Sequence, residues 1–367
     1  MESIARLIKQ LPLDYEQDCF EQGALVRKRG ISSAADLMTL AMFHLNNGCS
    51  LVEISEIAKM TGMADMSDVA FMKRFAKCSD WFIAINKKIV SDSLVCYNAP
   101  SWMKGKTLVS FDASDVKEKG RSRRIFRLHF ALDIFNMKSQ EHLITTAKTG
   151  ESLTNFNIKK DWVVVADRGY TTIKGIEHCT GSGADYILRL RKNSFTLRDE
   201  NNEKIDLLSL FAKLQDDECA DICAYATTLA GAKIPVRICA KRKTADAIEN
   251  NKKRLKRKES QSKYKMSDEA KTFNEFIVLV TNIEKNTALA HEILETYRYR
   301  WQIEIYFKRL KSILDFGELP KKREDSIFAW LNGKLMIALL IESIIAKTSF
   351  FPKENETKEY LEGNEVH

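Results

Sequence analysis

Near residue 104 the hydrophobic period of the chain changes from that of helices to that of strands, and few folds accommodate that change in this order. In Phe126, Leu128, Phe130, Leu132 and Ile134 every second residue is apolar, which suits a strand with one face in a core. Leu108-Val109 before Asp112 and Val163-Val164-Val165 before Asp167 are instead unbroken apolar runs, as expected of central strands buried on both faces. Helical patterns follow around Ser152 to Ile158 and Thr171 to Cys179. Strands first, then alternating strand and helix, predict a mixed α/β sheet. Both aspartates then fall at the carboxyl end of a buried strand, where such sheets place ligands.

The first hundred residues read as helical. Leu51, Ile54, Ile57 and Ala58 recur at helical spacing, Thr61-Gly62 breaks the pattern, and Ser67 can cap a second helix that packs Phe71 on Phe75. Lys73, Arg74 and Lys77 of that helix are expected at the surface. Two short helices around a glycine-containing turn suit a helix-turn-helix DNA reader, and they suit a plain helical bundle as well. Residues 191–287 differ again, with strand-like pieces at Ile234 to Ile238 and Phe276 to Val280. They are expected to form an inserted, mainly β subdomain.

At 367 residues and 44% hydrophobic, the chain can bury two or three domains without disulfides. Its eight cysteines are scattered, and only Cys219 and Cys223 are close, so buried free thiols are expected rather than a zinc site. The first twenty residues carry charges throughout and lack the pattern of a signal peptide, which predicts a cytoplasmic protein. The apolar stretch from Ile327 to Ala346 is interrupted by Asn332, Lys334 and Glu342, and is expected to be a buried helix rather than a membrane span. The formal net charge is +8, and Lys241 to Lys271 holds twelve Lys or Arg against five Asp or Glu. A polyanion is the natural partner of that segment; a solvated loop is the plain alternative.

The densest chemical signal lies in a helix expected from Ala288 to Leu314. Tyr297, Arg300, Glu304 and Lys311 follow the spacing Y-x2-R-x3-E-x6-K, and at about 100° per residue they share an arc of roughly 60°. Arg298 and Gln302 fall on nearly the opposite side. The four therefore point toward the protein, and charges there need partners: either Arg300 and Glu304 pair with each other, or they serve a site. Two divalent cations held by three carboxylates can clamp the attacking and leaving oxygens of a phosphodiester. Asp112, Asp167 and Glu304 can supply such a set, with Arg300 and Lys311 suited to DNA phosphates and Tyr297 to a phosphate oxygen.

These residues resemble the DDE transposases of the insertion-sequence-4 type. The chain carries LVSFDASDV, RLHFALDI, VVVADRGY and YRYRWQIEIYFKRLK in that family's order, and the resemblance spans about residues 50–345, including SLVEISEIAKMTGMADMSDVAFMKRF. It implies an RNase H-like catalytic core from 104–190 and 288–346, a helical DNA-binding region at 1–100 and a β-rich insertion at 191–287; the polar tail expected at 347–367 departs from relatives with a longer C-terminal dimerisation region. It further implies that Asp112, Asp167 and Glu304 are catalytic and hold Mg²⁺, two ions with Mn²⁺ as a substitute. The expected partners are double-stranded DNA, as terminal inverted repeats and target, and a second copy of the chain in a synaptic homodimer, with no membrane. The expected outcome is cut-and-paste transposition. Among neighbouring residues, Asp115 competes with Asp112, and the family's placement of the first Asp directly after the apolar strand favours Asp112. Arg189 resembles a basic residue that contacts the transposon end. Phe276 stands nearest to an insertion-domain aromatic that stacks on a flipped base, against a plain core role. An inactive end-binding repressor and a general RNase H-like nuclease are the competing functions.

Overall fold

A computed structural model of the chain describes residues 2–347, apart from 29, 32, 47, 90–98, 119–124, 193, 216–217, 262–264, 314–317 and 320–322. The expected polar tail after residue 347 lies outside the described residues, as does the expected helix end at Leu314. Helices come first: α1 (Glu2–Ile8), α2 (Tyr15–Glu21), α3 (Ala34–Asn46), α4 (Leu51–Met60), α5 (Asp68–Ala76) and α6 (Ser79–Ile89). Then follow β1 (Thr107–Glu118), β2 (Ile125–Asp133), β3 (Lys138–Thr146), β4 (Trp162–Ala166), α7 (Ile173–Gly181) and β5 (Asp185–Arg189). The next segment holds β6 (Leu197–Arg198), α8 (Leu207–Phe211), β7 (Cys219–Thr227), β8 (Lys233–Arg242), α9 (Ala245–Gln261), α10 (Asp268–Phe273) and β9 (Phe276–Thr281). The described chain closes with α11 (Ala290–Arg298), α12 (Trp301–Ile313), β10 (Glu318–Leu319) and α13 (Glu324–Lys347).

The fold is mixed α/β. Among the described residues the strands make one ten-stranded sheet in the order β3-β2-β1-β4-β5-β9-β8-β7-β6, with β10 beside β1. β1, β4 and β5 run parallel, while β2 and β3 on one side and β9 to β6 on the other are antiparallel. The strands of residues 191–287 are thus hydrogen-bonded onto the central sheet through β9 and β5.

The unbroken valine run is explained by burial on both faces. Val163 and Val165 belong to a core shared with the N-terminal helices, α12 and α13, whereas Trp162, Val164 and Ala166 belong to a second core with α7, α8 and the later strands. Side chains alternate between faces along a strand, so β4 must be apolar at every position. Two sequence expectations differ from what is found. β1 continues to Glu118, so Asp112 lies inside a strand rather than at its end, because β2 pairs with β1 along that whole stretch. Residues 152–158 form only a single 3-10 turn, Leu153–Asn155, in place of a helix.

In the N-terminal region Ser50 and Glu53 close a capping box on α4, and the Ser67 hydroxyl accepts from Ala70 N on α5. Phe71 and Phe75 are buried with ring centroids 6.1 Å apart, and Lys73 and Lys77 are exposed, as expected. Helices α3, α5 and α6 pack on α13, a helix apolar enough to span a membrane but with 72% of its most apolar stretch buried inside the fold. The described cysteines are free; Cys19, Cys78, Cys179 and Cys239 are buried, while Cys223 is exposed.

Gly333 permits the close approach of α13. A Cβ there would lie 2.5 Å from Leu45 Cδ1 and 3.1 Å from Phe82 Cε2, so it meets α3 and α6 together. Gly333→Ala is expected to lower the melting temperature, since overpacking costs about 1–3 kcal/mol and outweighs the roughly 1 kcal/mol gained in helix propensity. A thermal melt showing equal or higher stability would disprove the close-packing role.

Candidate active site

The end of β4 is where the apolar run stops and polar groups gather. Ala166 pairs with Phe111, so Asp167 comes level with Asp112 one residue further on. By strand alternation Asp112 shares the face of Leu108, and Asp167 continues the face of Val163 and Val165, the side covered by α12. Asp115, an odd number of residues from Asp112, faces the other way and is held by Arg127, with Nε 2.7 Å from Oδ1.

Aromatic packing sets α12 over this point. Phe130 is the ladder partner of Asp112, Tyr306 stacks on Phe130 at 5.0 Å, and Phe307 meets the same ring edge-on at 6.1 Å. Glu304, in the first turn of α12, is thereby brought toward Asp112. The expected single helix from Ala288 is in fact broken at Tyr299 and Arg300 between α11 and α12. Thr296 returns its hydroxyl to Glu292 O at 2.7 Å, and the next amides bond three residues back, Arg300 N to Tyr297 O at 3.1 Å, which tightens and bends the backbone.

Despite the break, Tyr297, Arg300 and Glu304 stay together. Arg300 donates to Glu304 Oε1 at 2.5 Å, so the internal ion pair foreseen as one alternative is present, and the Arg300 guanidinium lies 5.8 Å from the Tyr297 ring centre. Tyr297 is buried, and its hydroxyl has no hydrogen-bond partner among the described residues. Lys311 is exposed, two turns past Glu304 and about 10 Å further along the α12 axis. Phe276 is buried against Phe211, ring centres 5.3 Å apart, the packing expected of its core alternative.

The carboxylates repel one another. Burial lifts the Asp112 carboxyl to about 7, with Asp167 and Glu304 adding to the rise and the Ala113 N–H and Arg300 opposing it. Asp167 accepts from Gly169 N at 2.7 Å, and Thr171 ties this loop to β5 through bonds to Asp167 O and Arg189 O. Reading the sequence missed three neighbours. Glu151 presses on Gly169, where a Cβ would lie 2.7 Å from its Oε2 and 3.0 Å from Asp167 Oδ1; burial and Asp167 raise its carboxyl. Arg168 is pulled down to about 10 by burial and by nearby Arg189 and Arg191. The Nε atoms of Arg168 and Arg189 are buried without a partner among the described residues. Arg168 could have been found from its place beside Asp167 in DRGY; Glu151 stands in no recognisable motif.

This donor set suits a hard divalent cation, since buried carboxylate oxygens that repel one another are relieved by positive charge. Among the described residues no three acidic, histidine or cysteine side chains already close on one point, and Glu304 is turned to Arg300.

Residues 104–340 match the family model described as Transposase DDE domain. The chain is 26% identical over 353 residues to the InsL protein of insertion sequence element IS186A from Escherichia coli K12, covering 95% of each chain. It is 26% identical over 354 residues to the transposase for insertion sequence element IS421 from Escherichia coli, again covering 95% of each. Identity to the transposase for insertion sequence element IS1151 from Clostridium perfringens is 22% over 373 residues, covering 88% of this chain and 76% of that one.

The Asp112 shift fixes a pH dependence. In metal-free buffer the folded state holds this proton more tightly than the unfolded chain, so its stabilising contribution is complete below 3.8 and lost as pH rises through about 7. Asp112→Asn is expected to melt about 2–4 °C above the parent at pH 8, with the gain shrinking toward pH 4. Equal melting temperatures at pH 8 would show that burial does not strain this group.

Proposed function

Because the chain belongs to the transposase DDE-domain family, we propose that it is a DNA transposase that cleaves the ends of its insertion sequence and joins them to target DNA. The observation carrying this reading is that Asp112 and Asp167 stand level on neighbouring parallel strands beneath α12, with Asp112 feeling the charges of Asp167 and Glu304. The helix spacing of Tyr297, Arg300, Glu304 and Lys311 supports the insertion-sequence-4 type, and an RNase H-like core at 104–190 and 288–346 is the corresponding architecture.

Asp112, Asp167 and Glu304 would hold Mg²⁺, which when bound supplies an activated water or 3′-hydroxyl nucleophile and stabilises the leaving oxygen. Asp112 is half-buried on β1, paired across the ladder with Phe130 of β2. Arg300 holds Glu304 in place through the 2.5 Å bond and offers its remaining donors to a phosphate of the DNA end. Arg189 lies level with Asp167 and presents a second cation to the same strand. Lys311, further along α12, reaches phosphates outside the reacting point. Terminal-repeat binding is assigned to the N-terminal helices, with α4 and α5 as the reader, and pairing of two ends to a homodimer.

An end-binding repressor would need none of the three carboxylates, and the strain they impose favours the enzyme. Incubation with DNA carrying the element's own ends, with and without Mg²⁺, tests the proposal. Alanine at Asp112, Asp167 or Glu304 should reduce cleavage to background while end binding persists. Asp115→Ala should still cut, since Asp115 is paired with Arg127. Cleavage by the Asp112 variant would refute the assignment.

A further inference from the structure

The basic segment singled out in the sequence is not a loop. Most of it is α9, a helix of 17 residues with no buried side chain among those described and no member in either core. Its inner edge is fastened by charge instead of apolar packing. Lys252 Nζ lies 3.0 Å from Glu275 Oε1, Glu259 lies 3.7 Å from Lys271, and Glu259 accepts from Met266 N at 2.8 Å. At about 100° per residue, Lys253 and Arg257 face away from that edge, flanked by Lys256 and Arg254. Lys253, Lys256 and Arg257 are exposed. Lys253 has one long contact with Glu249 at 3.8 Å, and Arg254, Lys256 and Arg257 have no acidic partner among the described residues. Half-buried Ile248 and Leu255 are its larger apolar side chains, so it gains little from apolar packing on the fold it is attached to.

Sheet register says where this helix stands. Ala166 pairs with Leu188, so Asp167 is level with Arg189; Arg189 pairs with Leu279, and the β8–β9 ladder runs on in the same direction to Arg242 and Phe276. The connection carrying α9 therefore leaves the sheet at the end where Asp112 and Asp167 gather. It starts roughly 10 Å beyond Asp167 and about 15 Å to the side, three strand spacings away. One turn of duplex is about 34 Å long, so a duplex reaching Asp167 passes α9 within that turn.

We propose that the outer face of α9 is a docking surface for the phosphate backbone of duplex DNA next to the cleavage point, held without regard to sequence. The inference rests on the proposed action on DNA and adds a surface that the carboxylate site does not include. Charge complementarity selects the partner: Lys253, Arg254, Lys256 and Arg257 give a row of cations with no apolar or aromatic side chain between them except half-buried Leu255. Such a row suits backbone phosphates rather than stacked, unpaired bases.

The test is duplex binding by the full chain across a salt series, comparing the parent with Lys253→Gln/Lys256→Gln/Arg257→Gln and with the charge-preserving Lys253→Arg/Lys256→Arg. Duplexes with and without the element's ends are both used. The neutralised variant should bind both about 10-fold or more weakly near 0.15 M salt, with the slope of log affinity against log salt shallower by about 2–3; the arginine variant should keep the parent slope. Unchanged slope and affinity in the neutralised variant, while the parent still binds and cuts DNA, overturn the α9 surface and leave the proposed function standing. Loss confined to the end-bearing duplex, or tighter binding of single-stranded RNA than of duplex, also overturns it. A parent that binds no DNA refutes both.

Discussion

Burial of β4 on both faces is the constraint on which the rest of the arrangement depends. Five consecutive residues, Trp162 to Ala166, are enclosed by two cores, and a carboxylate placed among them would cost several kcal/mol. Polar chemistry can begin only where β4 runs out, at Asp167. The parallel neighbour β1 reaches the same level at Asp112, and there it loses β4 as a partner while β2 continues beside it. The gap so opened is covered by α12, held by Tyr306 and Phe307 on Phe130. Position along the sheet, more than any single bond, brings the acids together.

Opposite charges are crowded near this gap without cancelling. Asp167 and Glu304 add to the rise of the Asp112 carboxyl, while Arg168 and Arg189 repel each other and their buried Nε atoms have no partner among the described residues. Arg300 and Glu304 are directly paired. A fold selected for stability alone would interleave such groups or dispense with them. A ligand that brings cations to the acids and phosphates to the arginines relieves both sets at once, which is why strain of both signs supports the enzymatic reading.

Much of this was legible in the sequence, and the exceptions have physical causes. The period-two pattern around Phe130 and the valine run gave the strands, because burial on one or two faces writes itself directly into side-chain polarity. Ser67 and Phe71 likewise gave α5. The extension of β1 past Asp112 was hidden, since Ala113, Ser114 and Asp115 look like a strand end and only pairing with β2 keeps them extended. The break at Tyr299 was hidden as well, because helical spacing tolerates two residues of tightened turn. Glu151 reaches the site through a tertiary contact with Gly169 that carries no local pattern. Lys311 shows the limit of a helical wheel: it gives direction around an axis but not distance from the reacting point.

Helix α13 shares one core with α3, α5 and α6, although about 250 residues separate it from α5 along the chain. At ordinary rates of protein synthesis that separation is on the order of tens of seconds. Through that interval the partners Leu45, Phe82 and Phe75 wait on the ribosome without the surface that covers them. The helical region proposed to read DNA is therefore completed only when the last described helix emerges.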